Sequence, residues 1–284
     1  MLDRSASSLE GKVAVVTGGG GGIGRGISET FAAYGARVVV AERDPQRARE
    51  TVEAIRKAGG QAHESVVDVQ ERAQVAALLQ ATLAAFGGID VLVNNVGDFL
   101  ASKKFASTTE DDWEALYRIN LKHVFYCCHA FVPRMIEQDR GGSIINVSTI
   151  EAFRGIPNAA VYSAFNCGVT GFTRSLALEL GPHRIRVNAI APETTETLQV
   201  PISRWLKPEH RDRVPYWLPL GRFGTPDDMA GAAVFLASNL SAWVTGTTLH
   251  VDGGALAAGG FYRAPDGNWT NLPVVTGGGI GSKT

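Results

Sequence analysis

The sequence predicts an α/β fold, a single domain built on a doubly wound, seven-stranded parallel sheet with helices on both faces. Three observations carry this. Short apolar runs recur along the 284 residues with longer stretches of helical periodicity between them. Runs such as Val13-Ala14-Val15-Val16 are apolar at every position, as strands covered on both faces must be. No linker or compositional break divides the chain, and its 45% hydrophobic content can fill a core of this size.

The first strand is expected over Val13–Thr17, followed by the glycine run Gly18 to Gly22, Ile23 and Gly24, and a helical pattern at Ile27–Tyr34. Strand, glycine turn and helix in that order form a nucleotide-binding loop. Glycine lets a pyrophosphate approach the main chain, and the helix start near Gly22 offers it free N–H groups. The later strands are expected at 37–41, 63–67, 91–94, 143–147, 186–189 and 247–251, with helices at 46–58, 70–86, 111–138, 161–180 and 226–237. Together these elements make a core over residues 9–254, with the ligand expected at the carboxyl ends of the strands near the switch in strand order. The Pro-, Arg- and Trp-containing segment 193–224 reads as a mobile lid. The Gly-rich tail, 255–284, reads as an end that is either disordered or docked through Phe261, Tyr262 and Trp269.

With 27 basic against 28 acidic side chains, the chain shows no electrostatic footprint for nucleic acid or an anionic membrane. Neither a signal peptide nor a membrane-length apolar stretch is visible, so a cytoplasmic protein with a small-molecule partner is expected. Cys127, Cys128 and Cys167 include no CxxC pair and read as buried reduced thiols; the histidines show no zinc spacing, so no metal is expected.

Several motifs in one order resemble the short-chain dehydrogenase/reductase family. They are Thr17 to Gly24 for TGxxxGxG, Asp68-Val69 after the third strand, Asn94-Asn95-Val96-Gly97 for NNAG, Tyr162 for the YxxxK tyrosine, and Arg186 to Pro192 for RVNxxxP. The resemblance runs from about Leu9 to Gly254 and implies a Rossmann-like fold, a nicotinamide dinucleotide and a carbonyl or alcohol substrate. It also implies a homotetramer assembled through the two long helices. Cofactor contacts are implied for Gly18, Gly22, Ile23, Gly24, Glu42, Asp68, Val69, Asn95, Gly97, Tyr162, Asn166, Pro192 and Thr197. Glu42, 24 residues after Gly18, can accept hydrogen bonds from both ribose hydroxyls and favours NAD, while the adjacent Arg43 could meet a 2′-phosphate, so NADP stays open.

The resemblance further implies hydride transfer with Tyr162 as acid/base and Asn120 supporting a proton path. The usual spacing, thirteen residues before Tyr162, selects Thr149 to polarise the substrate oxygen, with Ser148 as its neighbour. Two positions depart from the family. Asn166 replaces the lysine four residues after Tyr162, on the same helix face, and supplies no charge. An ordinary phenol, with a pKa near 10, is ionised in only about one molecule per thousand at neutral pH, so oxidation should suffer more than reduction. Glu193 replaces the glycine after Pro192 and could crowd the cofactor. Lys122 and Arg154 are the cations nearest in sequence, both expected at the surface. Glu151, Phe153, Trp205 and Trp217 read either as lining of the substrate pocket or as ordinary packing of the lid. Two functions follow: an NAD(P)-dependent oxidoreductase interconverting a secondary alcohol and a ketone, or a nucleotide-binding relative with lost turnover that acts as a binding or regulatory partner.

Overall fold

Successive side chains of a strand point to opposite faces, and here both faces are covered. In the computed structural model, which describes residues 3–100, 102–202, 206, 208–259, 262–263 and 269–270, β1 (Val13–Thr17) is buried at all five positions. Ala14 and Val16 meet Ile27, Phe31, Met229 and Ala233 on one side. Val15 meets Leu92, Phe131, Met135 and Val169 on the other. The remaining strands are β2 (Arg37–Glu42), β3 (Gln61–Val66), β4 (Val91–Asn94), β5 (Gly142–Val147), β6 (Ile185–Pro192) and β7 (Thr248–Val251). They pair in the order β3-β2-β1-β4-β5-β6-β7, and every pairing is parallel. The order reverses between β1 and β4, which opens a crevice at their carboxyl ends.

The helices are α1 (Gly22–Ala33), α2 (Pro45–Lys57), α3 (Arg72–Phe86), α4 (Glu110–Tyr117), α5 (His123–Glu137), α6 (Ala160–Leu180) and α7 (Pro226–Ala237). Some of their starts are chemically marked. The Asp44 carboxylate accepts from the Gln46 and Arg47 amides, with Pro45 at the first position of α2, and Thr225 forms a capping box with Asp228 ahead of α7. One boundary differs in kind from expectation. The helix expected over 111–138 is two helices joined by a π turn at Arg118–Lys122, with Asn120 buried inside it. A π turn accommodates one extra residue per turn, which a 3.6-residue periodicity does not register.

The segment 193–224 is more than a bare loop. Its Ile202, Leu206, Val214 and Leu218 are buried with Ile150, Ala191 and Ala255 in a third apolar cluster. Of the tail, the short antiparallel pair Tyr262–Arg263 with Trp269–Thr270 is described. Phe261 and Trp205 lie outside the described residues, as do the side chains of Tyr262, Trp269 and Trp217. Cys127 and Cys128 are buried free thiols, but Cys167 is exposed, contrary to expectation, because it falls on the outward side of α6.

His123, at the start of α5, is fully buried, and burial pulls its pKa down from 6.5 to about 4 against the opposing pull of Asp68. A proton that the unfolded chain binds near pH 6.5 is refused by the folded one until about pH 4, so stability falls as pH drops through that window. At 1.36 kcal/mol per pH unit the loss approaches about 3 kcal/mol. Urea midpoints of wild type and His123→Leu between pH 7 and 4 check this: the wild type should lose more stability than the variant by roughly that amount.

Candidate active site

The carboxyl ends of β1 to β6 surround a cavity of about 830 Å³. Its first wall is the glycine loop. Gly22 sits at φ +50°, in the left-handed region, and a side chain there would press on Thr197. A Cβ on Gly24 would stand 2.1 Å from the Gly18 carbonyl oxygen. Gly24 therefore lies behind the loop and lets it fold flat, whereas Gly18, Gly22 and Ile23 face the cavity. The amides at the start of α1, capped by Gly21 without any side chain, remain open to an anion.

One end of the cavity is lined by Glu42, Arg43, Arg47, Asp68, Val69 and Gln70. The Glu42 carboxylate accepts from the amides of Gly20, Arg43 and Asp44, which fixes it at the end of β2. Arg47 was not anticipated. It lies in the first turn of α2, and the fold brings it against the glycine loop at Gly20. The middle is held by Asn95, whose amide nitrogen donates to the Thr17 carbonyl at 3.0 Å while its backbone N–H donates to the Thr17 hydroxyl at 2.9 Å. Gly97 and Pro192 complete that wall.

The far end brings Tyr162, Thr149, Asn120 and Asn166 together. Asn120, held in the π turn, accepts from the Asp98 amide at 3.1 Å and donates to the Asp98 carbonyl at 2.8 Å. Asn166 donates to the Tyr162 carbonyl at 3.0 Å, and the Ser148 hydroxyl donates to the Asn166 backbone at 3.3 Å. Ser148 and Thr149 both line the cavity beside Tyr162, and the Thr149 hydroxyl accepts from the Glu151 amide at 3.3 Å. Burial pushes the Tyr162 phenol up to about 12; Thr149 draws it down, and the carboxylates of Glu151, Asp98 and Glu193 push it further up.

Two expectations about charge are corrected here. Arg154 is not at the surface: its side chain is 8% exposed and its guanidinium lies between the carboxylates of Glu151, at 2.8 Å, and Glu193. Glu193 does not project freely, since the Thr194 amide and hydroxyl both close on its Oε1 at 2.7 Å. Lys122 points away from the site, reaching Glu114 at 3.3 Å and lying over the Tyr117 ring. Phe153 is not part of the pocket lining: it is 41% exposed and meets His250 edge to face outside the cavity. Asp98 carried no signal in the sequence beyond following the Asn-Asn-Val-Gly run.

A family model described as enoyl-(acyl carrier protein) reductase matches residues 18–255. The chain is 40% identical over 254 residues to 3β-hydroxysteroid dehydrogenase 1 of Eggerthella lenta, covering 89% of this chain and 97% of the relative. It is likewise 40% identical over 254 residues to galactitol 2-dehydrogenase of Agrobacterium fabrum, covering 87% and 98%. Among solved structures, a 7α-hydroxysteroid dehydrogenase complexed with NADH and 7-oxo glycochenodeoxycholic acid superposes with a TM-score of 0.84 at 33% identity, over 89% of this chain and 98% of that one. No helix among the described residues is long and apolar enough to cross a membrane. The sheet order, the glycine cradle and these likenesses along nearly the whole domain agree: the chain belongs to the short-chain dehydrogenase/reductase family.

Proposed function

We propose that the protein is an NAD(P)-dependent oxidoreductase that interconverts a secondary alcohol and a ketone, and that it works chiefly as a ketone reductase. The observation that carries the direction is the Tyr162 phenol, pushed up to about 12 with no lysine beside it. A phenol held above its ordinary value is protonated at neutral pH, so the site holds an acid. The cavity fits a dinucleotide: a flat glycine turn opens onto free helix amides, an acid closes β2, and Asn95 braces the loop. When bound, the nicotinamide supplies the hydride.

The protein's own residues then have distinct tasks. Tyr162 gives its proton to the carbonyl oxygen as that oxygen gains charge, and Thr149 donates a hydrogen bond to the same oxygen. Asn120 supports the path by which Tyr162 regains its proton, and Asn166 keeps the first turns of α6 in register while offering its amide to a ribose hydroxyl. Gly18, Gly22, Ile23, Asn95, Gly97, Pro192 and Thr197 seat the dinucleotide, with Gly24 beneath them. Asp68 and Val69 flank the adenine, and Glu42 takes the ribose hydroxyls, making NAD the favoured form. The same reading includes a homotetramer built on α5 and α6.

Fluorescence titration with NADH and NADPH, followed by a panel of ketones and secondary alcohols, tests this. Tighter binding of NADH and faster turnover of a ketone than of its alcohol are expected. Equal affinity for NADPH would overturn the choice of NAD, and binding without turnover of any carbonyl compound would assign the chain to the reading of a nucleotide-binding partner. Light scattering on the same sample reads the assembly.

A further inference from the structure

Three charged side chains meet beside the cavity, each nearly excluded from solvent: Glu151, Arg154 and Glu193, at 9%, 8% and 7% side-chain exposure. They come from different parts of the fold. Glu151 and Arg154 belong to the short turn after β5, and Glu193 follows β6 directly. The guanidinium gives two bonds to Glu151, from Nε at 3.2 Å and from one terminal nitrogen at 2.8 Å, and the same terminal nitrogen also bonds Glu193. Only Arg offers a planar fork able to hold two carboxylates in fixed directions. Both carboxylates line the cavity and Arg154 is absent from the lining, so it pulls on them from behind. The Glu151 carbonyl accepts from Ser163 at 2.6 Å, which ties the cluster to the residue after Tyr162.

We propose that Arg154 is a positioning residue that clamps the Glu193 carboxylate against the wall and so keeps the Tyr162 end of the cavity open to the dinucleotide. This rests on the reading of the cavity as a dinucleotide site. Two carboxylates left together in a buried place repel each other and cannot both stay charged there. Thr194 still holds Oε1 of Glu193, so what Arg154 alone restrains is the other oxygen, and the space open to that oxygen is the cavity. A side chain at position 193 and an arginine at position 154 are in this sense one device, and the first is tolerated because of the second.

The test is a double-mutant cycle on dinucleotide binding: wild type, R154M, E193G and R154M/E193G, titrated with NADH and with NAD⁺, with thermal melting to confirm folding. R154M should raise the Kd for NADH by about tenfold, within the coupling range of contacting residues. The loss should be smaller for NAD⁺, whose cationic ring is attracted by a freed carboxylate; a general loosening of the fold would weaken both alike. The double variant should return to the affinities of E193G. Should R154M fail to fold, R154K keeps the charge without the fork, and it should shift both affinities in the same sense and be rescued by the same second change. Unchanged affinities in R154M, or in R154K where it stands in, would overturn the proposal, and so would a double variant as weak as the single one. Wild type that binds neither dinucleotide would instead remove the underlying reading of the cavity.

Discussion

Replacing Tyr162 by phenylalanine is expected to lower ketone reduction by about a thousandfold while dinucleotide binding and the melting temperature are retained, a loss within the range for removing a general acid. The change deletes one oxygen and leaves the ring in place. That oxygen lies on the cavity wall with Thr149, and the carboxyl groups beside it are poorly suited as alternative proton donors. Glu151 and Glu193 are committed to Arg154, and the Asp98 carboxylate accepts from the Leu100 amide at 2.7 Å. Measured kcat for one ketone in the two proteins decides the matter. Equal values would show that the proton comes from elsewhere.

Asn166→Lys carries the second large expectation, and its direction is opposite. Asn166 is 4% exposed and lines the cavity on the same helix face as Tyr162. An ammonium group there would stabilise the phenolate, and an opposite charge at such range lowers a pKa by about one to three units. The base form needed for alcohol oxidation would then be more populated, so the rising limb of the oxidation profile moves to lower pH. At pH 8 the oxidation rate should increase by about tenfold or more. The sign matters more than the size. A folded phenol pKa raised by its surroundings is a barrier to oxidation at every pH below it, and the lysine removes part of that barrier. Coincident oxidation profiles for the two proteins would show that some other group tunes Tyr162.

The residues explain why so much of this fold could be read in advance and where reading stopped. Val13 to Val16 are buried on both faces of the sheet, so their apolar character was uniform and β1 stood out. The glycine turn was legible because its backbone leaves no room for a side chain, as the 2.1 Å approach at Gly24 shows. Thr149 was chosen over Ser148 on the thirteen-residue spacing implied by the resemblance, and both residues line the cavity. The π turn at Arg118–Lys122 could not be read, because a single wide turn leaves the flanking apolar periodicity intact. Nor could the burial of Arg154. Besides Glu151, three residues earlier, it is held by Glu193, 39 residues away in sequence, and only the side-by-side placement of β5 and β6 brings those two together. Long-range charge pairing has no local signature, so an arginine in a loop was expected at the surface.

On the proposed reading Tyr162 stays a neutral phenol throughout the physiological range. Phenolate absorbance, recorded as the difference between wild type and Tyr162→Phe with and without NAD⁺ during an alkaline titration, measures it directly. The account predicts no ionisation attributable to Tyr162 below about pH 10, the ordinary phenol value. A Tyr162-dependent phenolate forming near neutral pH would contradict it, and with it the assignment of the protein as a reductase that works without a neighbouring ammonium.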